Sequence, residues 1–206
     1  MNEQMQRPLV RLDLYKQAII LTRFQEKGTA SYPVSVYDLA AALADVPVSS
    51  GLLPANTLFW QRREGQSQIG IYVPGRQWTV LVGERQLTIP MPPMIFTGRG
   101  THYAVYGIKR RPRDVHCRLY HAPYPNVYLH GAICQGNAPF PACTPETITP
   151  SLSLFLEGSS FNGDLAQGKC RSHPDNVLAL WKELAGKKRF PLKELVGCGK
   201  VLRDLM

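Results

Sequence analysis

Residues 124–134 read YPNVYLHGAIC. A Pro-Asn turn, a short apolar run and a glycine lead to Cys134, and the polar, proline-bearing QGNAPFP follows. A cysteine can be a small buried apolar side chain, a metal ligand or a nucleophile. As a nucleophile it reacts as thiolate, so it needs a partly exposed, polar or electropositive setting. Cys134 suits that setting best of the five cysteines, because the loop behind it cannot bury itself in a sheet. His130 and Asn126 lie close in sequence. Composition and spacing alone leave burial and reactivity open for this residue. Cys117 and Cys198 read as small buried hydrophobes. A structural zinc site needs two short-spaced Cys/His pairs. Cys170 with His173 is one such pair, but Cys134 and Cys143 have two prolines between them and no second clean pair exists. No metal and no cofactor is expected.

Elements must position these residues. Segment 9–24, LVRLDLYKQAIILTRF, predicts a strand or a hairpin arm. Residues 33–46 predict a helix capped by Ser35, with Asp38 in its first turn and Leu39, Leu43 and Val46 on one face. Six short segments follow, TLFWQRR, QIGIYVP, QWTVLVG, RQLTIPMPP, MIFTG and YAVYGIKRR, several of them separated by turn residues. Their spacing predicts an antiparallel meander. SLSLFLEGSS fits helix or strand. HPDNVLALWKELAGKKRF predicts a helix capped by Asp175 or Asn176, with Val177, Leu180, Trp181 and Leu184 on one face. The last stretch, FPLKELVGCGKVLRDLM, reads as a short helix or an extended tail. Strands first and helices after them make an α+β chain, not an alternating one.

The 206 residues suit a single domain over 1–206, and 44% hydrophobic residues support a core. There is no run of about 18 apolar residues. MNEQMQRPLV has no basic region followed by an apolar one, so the expected location is the cytoplasm, with free thiols. The net charge of +9 speaks to association rather than fold. The densest cluster is KRRPR at 109–113, comprising Lys109, Arg110, Arg111 and Arg113; Lys187, Lys188 and Arg189 form another. Neither sits in a DNA-reading motif. A solvated surface, or docking of an acidic protein, is favoured over nucleic acid; a basic nucleic-acid-binding protein is the remaining alternative.

The motif residues also resemble a family. Ubiquitin-conjugating enzymes carry His-Pro-Asn, a glycine, and a catalytic cysteine eight residues after the asparagine. Here Tyr124, Pro125 and Asn126 precede Gly131 and Cys134 at that spacing. TIPMPPMIFTG resembles the family's proline-rich strand, and CTPETITPSLSLFLEG the opening of its crossover helix. GAICQGNAPFP, FLEGSSFNG and HPDNVLALWKELAGKKRFPLKELV are similar to the PRTRC system protein B family, a prokaryotic branch of this superfamily. The resemblance implies an antiparallel meander flanked by an N-terminal helix and C-terminal helices, with 9–24 as an extra strand or hairpin. It makes 99–123 a basic insertion before the active-site loop. Tyr124 replaces the histidine that braces that loop, and Glu146 and Asp164 are nearest to the acidic residue that often lies beyond the cysteine.

The family reaction is thioester formation followed by aminolysis. The resemblance makes Cys134 the thioester carrier and Asn126 either the oxyanion donor or a pin for the loop. His173 becomes either a base or a helix-start residue, and His130 a loop-surface residue able to tune the thiolate. The implied partners are a ubiquitin-like protein, an activating-enzyme-like adenylyltransferase and a JAB-type metallopeptidase of the same gene cluster. Lys109, Arg110, Arg111 and Arg113 would dock an acidic partner. The non-catalytic alternative is a scaffold of the same fold in a plasmid or mobile-element system.

Overall fold

The computed structural model describes residues 9–25, 28–44, 50–63, 65–136, 139–158 and 160–206. They fall into two compact units, Met1–Ser49 and Ser50–Met206. In the first unit, segment 9–24 is a hairpin rather than one strand. β1 (Val10–Leu14) pairs with β2 (Ile19–Gln25), and β3 (Gly28–Val34) joins on the other side, all antiparallel. Pro33 lies in β3, an edge strand where its missing N–H leaves no gap in a central ladder. α1 (Val36–Ala44) begins as expected: Ser35 Oγ accepts the Asp38 N–H at 3.0 Å and donates to the Asp38 carboxylate at 2.6 Å. The apolar face expected through Leu43 and Val46 lies outside the described side chains.

The second unit holds all six predicted strand segments: β4 (Thr57–Arg63), β5 (Gln66–Val73), β6 (Gln77–Val82), β7 (Arg85–Pro90), β8 (Met94–Arg99) and β9 (His102–Gly107). They do not form one unbroken meander. β5 pairs directly with β8, Val73 opposite Met94, and the β6–β7 hairpin swings out into a separate sheet. The cause is local. Pro74–Gly75 follows β5, and Pro92–Pro93 precede β8. Prolines cannot donate to a ladder, so the chain leaves the sheet at one pair and re-enters at the other.

Further strands complete both sheets. β10 (Arg118–His121) and β12 (Gly197–Val201) extend the main sheet to the order β12-β10-β9-β8-β5-β4. β11 (Ser160–Phe161) runs parallel to β6. The C-terminal stretch is therefore a paired strand, flanked by short 3-10 turns at Leu192–Glu194 and Leu202–Leu205, and not a free tail.

Two helices cover the core. α2 (Ile148–Leu156) buries Ile148, Leu152, Phe155 and Leu156, so the ambiguous SLSLFLEGSS segment is helical through Leu156, and its last residue, Ser160, opens β11. α3 (Val177–Leu184) buries the four residues its period predicted, and Asn176 accepts the Leu178 N–H at 2.9 Å. Tyr124, Phe155, Phe161 and Trp181 meet edge-on or tilted, with ring centroids 5.2–6.1 Å apart. Such pairs add to the burial of large rings. The Trp181 indole N–H reaches the Pro123 carbonyl at 2.8 Å, so this aromatic core ends directly beneath the 124–134 loop. Among the described residues no helix is long and apolar enough to cross a membrane.

Candidate active site

The 124–134 loop folds back on itself. The Tyr128 N–H donates to Ala132 O, the Gly131 N–H to Tyr128 O and the Cys134 N–H to Asn126 O, each at 2.8 Å. Asn126 and Cys134, eight residues apart in sequence, are thereby placed side by side. The folded loop is strapped to β9: the Val105 N–H donates to Gly131 O and the Ile133 N–H to Tyr103 O, both at 2.9 Å. Past the cysteine, Gln135 Nε2 donates to Thr101 O at 2.6 Å and the Cys143 N–H to Gly100 O at 2.6 Å. The proline-bearing stretch is thus tied to the β8–β9 turn near both of its ends, and a cavity of about 750 Å3 beside Cys143 is lined by Gln66, Arg99, His102 and Thr144.

Gly131 explains the motif's glycine. Its φ is +97°, and a Cβ there would collide with the Tyr106 ring. The Tyr106 hydroxyl donates to the neighbouring His130 carbonyl. The His130 ring is exposed and stacks on Tyr128 at 5.4 Å.

Cys134 is exposed, whereas Cys143 and Cys170 are buried. Burial pushes the Cys143 thiol up to about 11 and also raises those of Cys170 and Cys117. Cys117 and Cys198 are half-buried rather than fully buried, because they lie near the β10–β12 edge of the sheet. Cys170 Sγ donates to the His173 backbone carbonyl at 3.2 Å, not to its ring. Among the described residues no three His, Cys, Asp or Glu side chains cluster to hold a metal ion.

Asn126 sits in the left-handed region at φ +58°, a conformation asparagine tolerates better than most residues. Its N–H donates to Asp164 O at 2.9 Å and its Nδ2 to Ser160 O at 3.3 Å. Its Oδ1 is buried without a partner. Of the two acidic candidates, Asp164 meets the loop through its backbone; its carboxylate accepts from Asn162 at 2.7 Å. Glu146 lies just before α2, and hydrogen bonds led by Thr144 lower its carboxyl.

Tyr124 is fully buried in the aromatic core, and its hydroxyl points to Met94 Sδ at 3.7 Å. Burial raises that hydroxyl far above the ordinary tyrosine range. Pro125 beside it is buried as well. His173 bonds Glu183 of α3 at 2.8 Å, and no hydrogen bond links it to the loop. The basic residues Lys109, Arg110, Arg111 and Arg113 line a cavity of about 570 Å3 together with Arg118. Lys109 lies over the Tyr120 ring at 5.1 Å and Arg111 over the Tyr72 ring at 5.3 Å. Residues that drew no notice in the sequence also reach the loop, among them His121, Lys169 and Lys200. Lysines and histidines this far apart in the chain carry no local signature.

No curated protein and no solved structure matches the chain. The model of prokaryotic E2 family D matches residues 35–198, which span α1, strands β4 to β11 and the loop that ends at Cys134. With its mixed α+β fold, the chain belongs to prokaryotic E2 family D and is a ubiquitin-conjugating-like protein.

Proposed function

We propose that Cys134 carries a ubiquitin-like protein as a thioester and transfers it to an amine. The observation that carries this reading is the pairing of an exposed thiol with Asn126 across a loop tied down by backbone bonds. In the first step the Cys134 thiolate attacks the thioester carbonyl that joins the modifier's C-terminal glycine to an activating-enzyme-like adenylyltransferase. The activating enzyme's thiolate leaves and the Cys134 thioester forms. In the second step an amine attacks that carbonyl, loses a proton and expels Cys134 as thiolate. Both tetrahedral intermediates carry an oxyanion. One N–H of the Asn126 amide is taken by Ser160, and its second N–H is the donor we assign to that oxygen. Its two backbone partners, Asp164 and Cys134, hold the residue for this task.

His173, bonded to Glu183, is a helix-start residue in this reading rather than the base. The basic cavity docks an acidic face of the modifier or of the activating enzyme. In this reading, which the finer likeness to PRTRC system protein B supports, the chain works in a plasmid or mobile-element gene cluster, and its thiols stay free in the cytoplasm. A JAB-type metallopeptidase of that cluster would process the modifier.

The test is loading with the adenylyltransferase, the ubiquitin-like protein and ATP. A thiol-sensitive adduct forms on a non-reducing gel and is lost in Cys134→Ala. Asn126→Ala slows loading by roughly 10²–10³. Loading that survives in Cys134→Ala would sink the proposal.

A further inference from the structure

Lys169 is buried, at 1% exposure, and follows β11 by several residues. A buried ammonium is costly unless it is paired or hydrogen-bonded. Among the described residues no carboxylate pairs with it. Its bond runs instead from Nζ to the Val127 carbonyl, at 2.6 Å. Val127 is the bridge partner of Ile133, so the ammonium grips the midpoint of the loop from inside the core.

Two further basic side chains from other elements reach the adjacent stretch. His121 of β10 meets the backbone of Leu129. Lys200 of β12 donates to His130 O at 3.2 Å and to the Tyr106 hydroxyl at 3.2 Å. Lys169 and Lys200 thus bring positive charge to the carbonyls of the Val127–His130 stretch. Segment 160–170 completes the seat, with Ser160 and Asp164 on Asn126 and Gly168 against Leu129.

We propose that Lys169 is a positioning residue for the Cys134 loop: its buried ammonium clamps the Val127 carbonyl and so sets Asn126 against Cys134. The catalytic meaning of the clamp rests on the thioester reading; the clamp itself does not. A charge-assisted bond is roughly twice as strong as a neutral one, so the grip depends on the Lys169 proton. Burial pushes that proton down to about 8. Of the titratable groups in this region, His121 of β10 interacts with it electrostatically; Lys200 meets Tyr106 and the His130 carbonyl, Tyr128 stacks on His130, and Glu194 accepts the Ser172 N–H. Burial, Lys169 and Lys200 together lower His121, so its ring is neutral throughout the range in which Lys169 titrates.

The sign for global stability is opposite to the sign for the loop. Between about 8 and the ordinary value of 10.5, the unfolded chain binds the lysine proton and the folded chain does not. This group therefore makes the whole fold more stable as pH rises through that window. The loop alone loosens.

Amide hydrogen exchange on the full chain separates the two effects. The background is Cys134→Ser, which removes the loop's own ionisable thiol, and rates are normalised to intrinsic exchange at each pH. Between pH 6.5 and 9.5, protection of the Tyr128, Ile133 and residue-134 amides falls by about tenfold, while amides in the β5–β8 pairing hold. In Lys169→Met the loop amides are already about tenfold less protected at pH 6.5, with no further fall as pH rises. In Lys169→Arg, which keeps its charge, protection is also flat with pH but stays high. A loop unchanged in Lys169→Met at pH 6.5, or a wild-type fall shared by β5 and β8, overturns the proposal. If Lys169→Met does not fold, the pH series on the unaltered lysine still decides. No modifier or activating enzyme is used, so failure here and failure of thioester loading are separate results.

Discussion

Tyr124 holds the place where the family motif has histidine, and it works by packing. Its ring completes the aromatic cluster with Phe155, Phe161 and Trp181, and its hydroxyl has only a sulfur acceptor. Such a weak bond contributes little. Tyr124→Phe should therefore shift stability by under about 1 kcal/mol and leave loading within about twofold. Tyr124→Ala should cost about 3–5 kcal/mol, read by denaturant unfolding. A large loading defect in Tyr124→Phe would return the bracing role to the hydroxyl. Asn126 and Cys134 could be found in sequence because a spacing of eight is a local fact. Lys169 could not, because its contact with Val127 spans 42 residues and a lysine in a polar loop ordinarily reads as surface.

At the scale of elements, local chemistry decided what could be read. α3 shows its apolar face at helical spacing and an asparagine cap, so its buried residues were legible. The six central strands announced themselves by β-branched and aromatic runs between turn residues. β12 did not, because Gly197 and Gly199 dilute its strand signal and its partner β10 lies far away in sequence. The β6–β7 excursion was written in Pro74 and in Pro92–Pro93, but turn residues mark where a chain bends and not which strands pair afterwards. The loop depends on such close geometry at Gly131. Gly131→Ala combines a positive φ with a collision against Tyr106 and should destabilise by roughly 2–4 kcal/mol. Thermal unfolding checks the cost, and an unchanged midpoint would mean the loop is not seated on Tyr106 as described.

For the molecule as a whole, charge is the property most plainly written in sequence. The +9 net charge gathers in part at the cavity lined by Arg110, Arg111, Arg113 and Arg118. Docking of an acidic partner there should be steered electrostatically. Loading should slow severalfold between about 50 and 300 mM salt, where the screening length shrinks below 10 Å. Triple reversal of Arg110, Arg111 and Arg113 to Glu should remove most of that dependence while leaving alkylation of Cys134 unchanged; an unaltered salt slope would place docking elsewhere. The central claim remains that Cys134 carries the modifier, and intact-mass measurement of the loaded protein tests it most directly. One added modifier less a water is expected, mapped to Cys134 and released by hydroxylamine at neutral pH. With a charged activating enzyme present, an adduct mapped to a lysine, or no added mass at all, would contradict it.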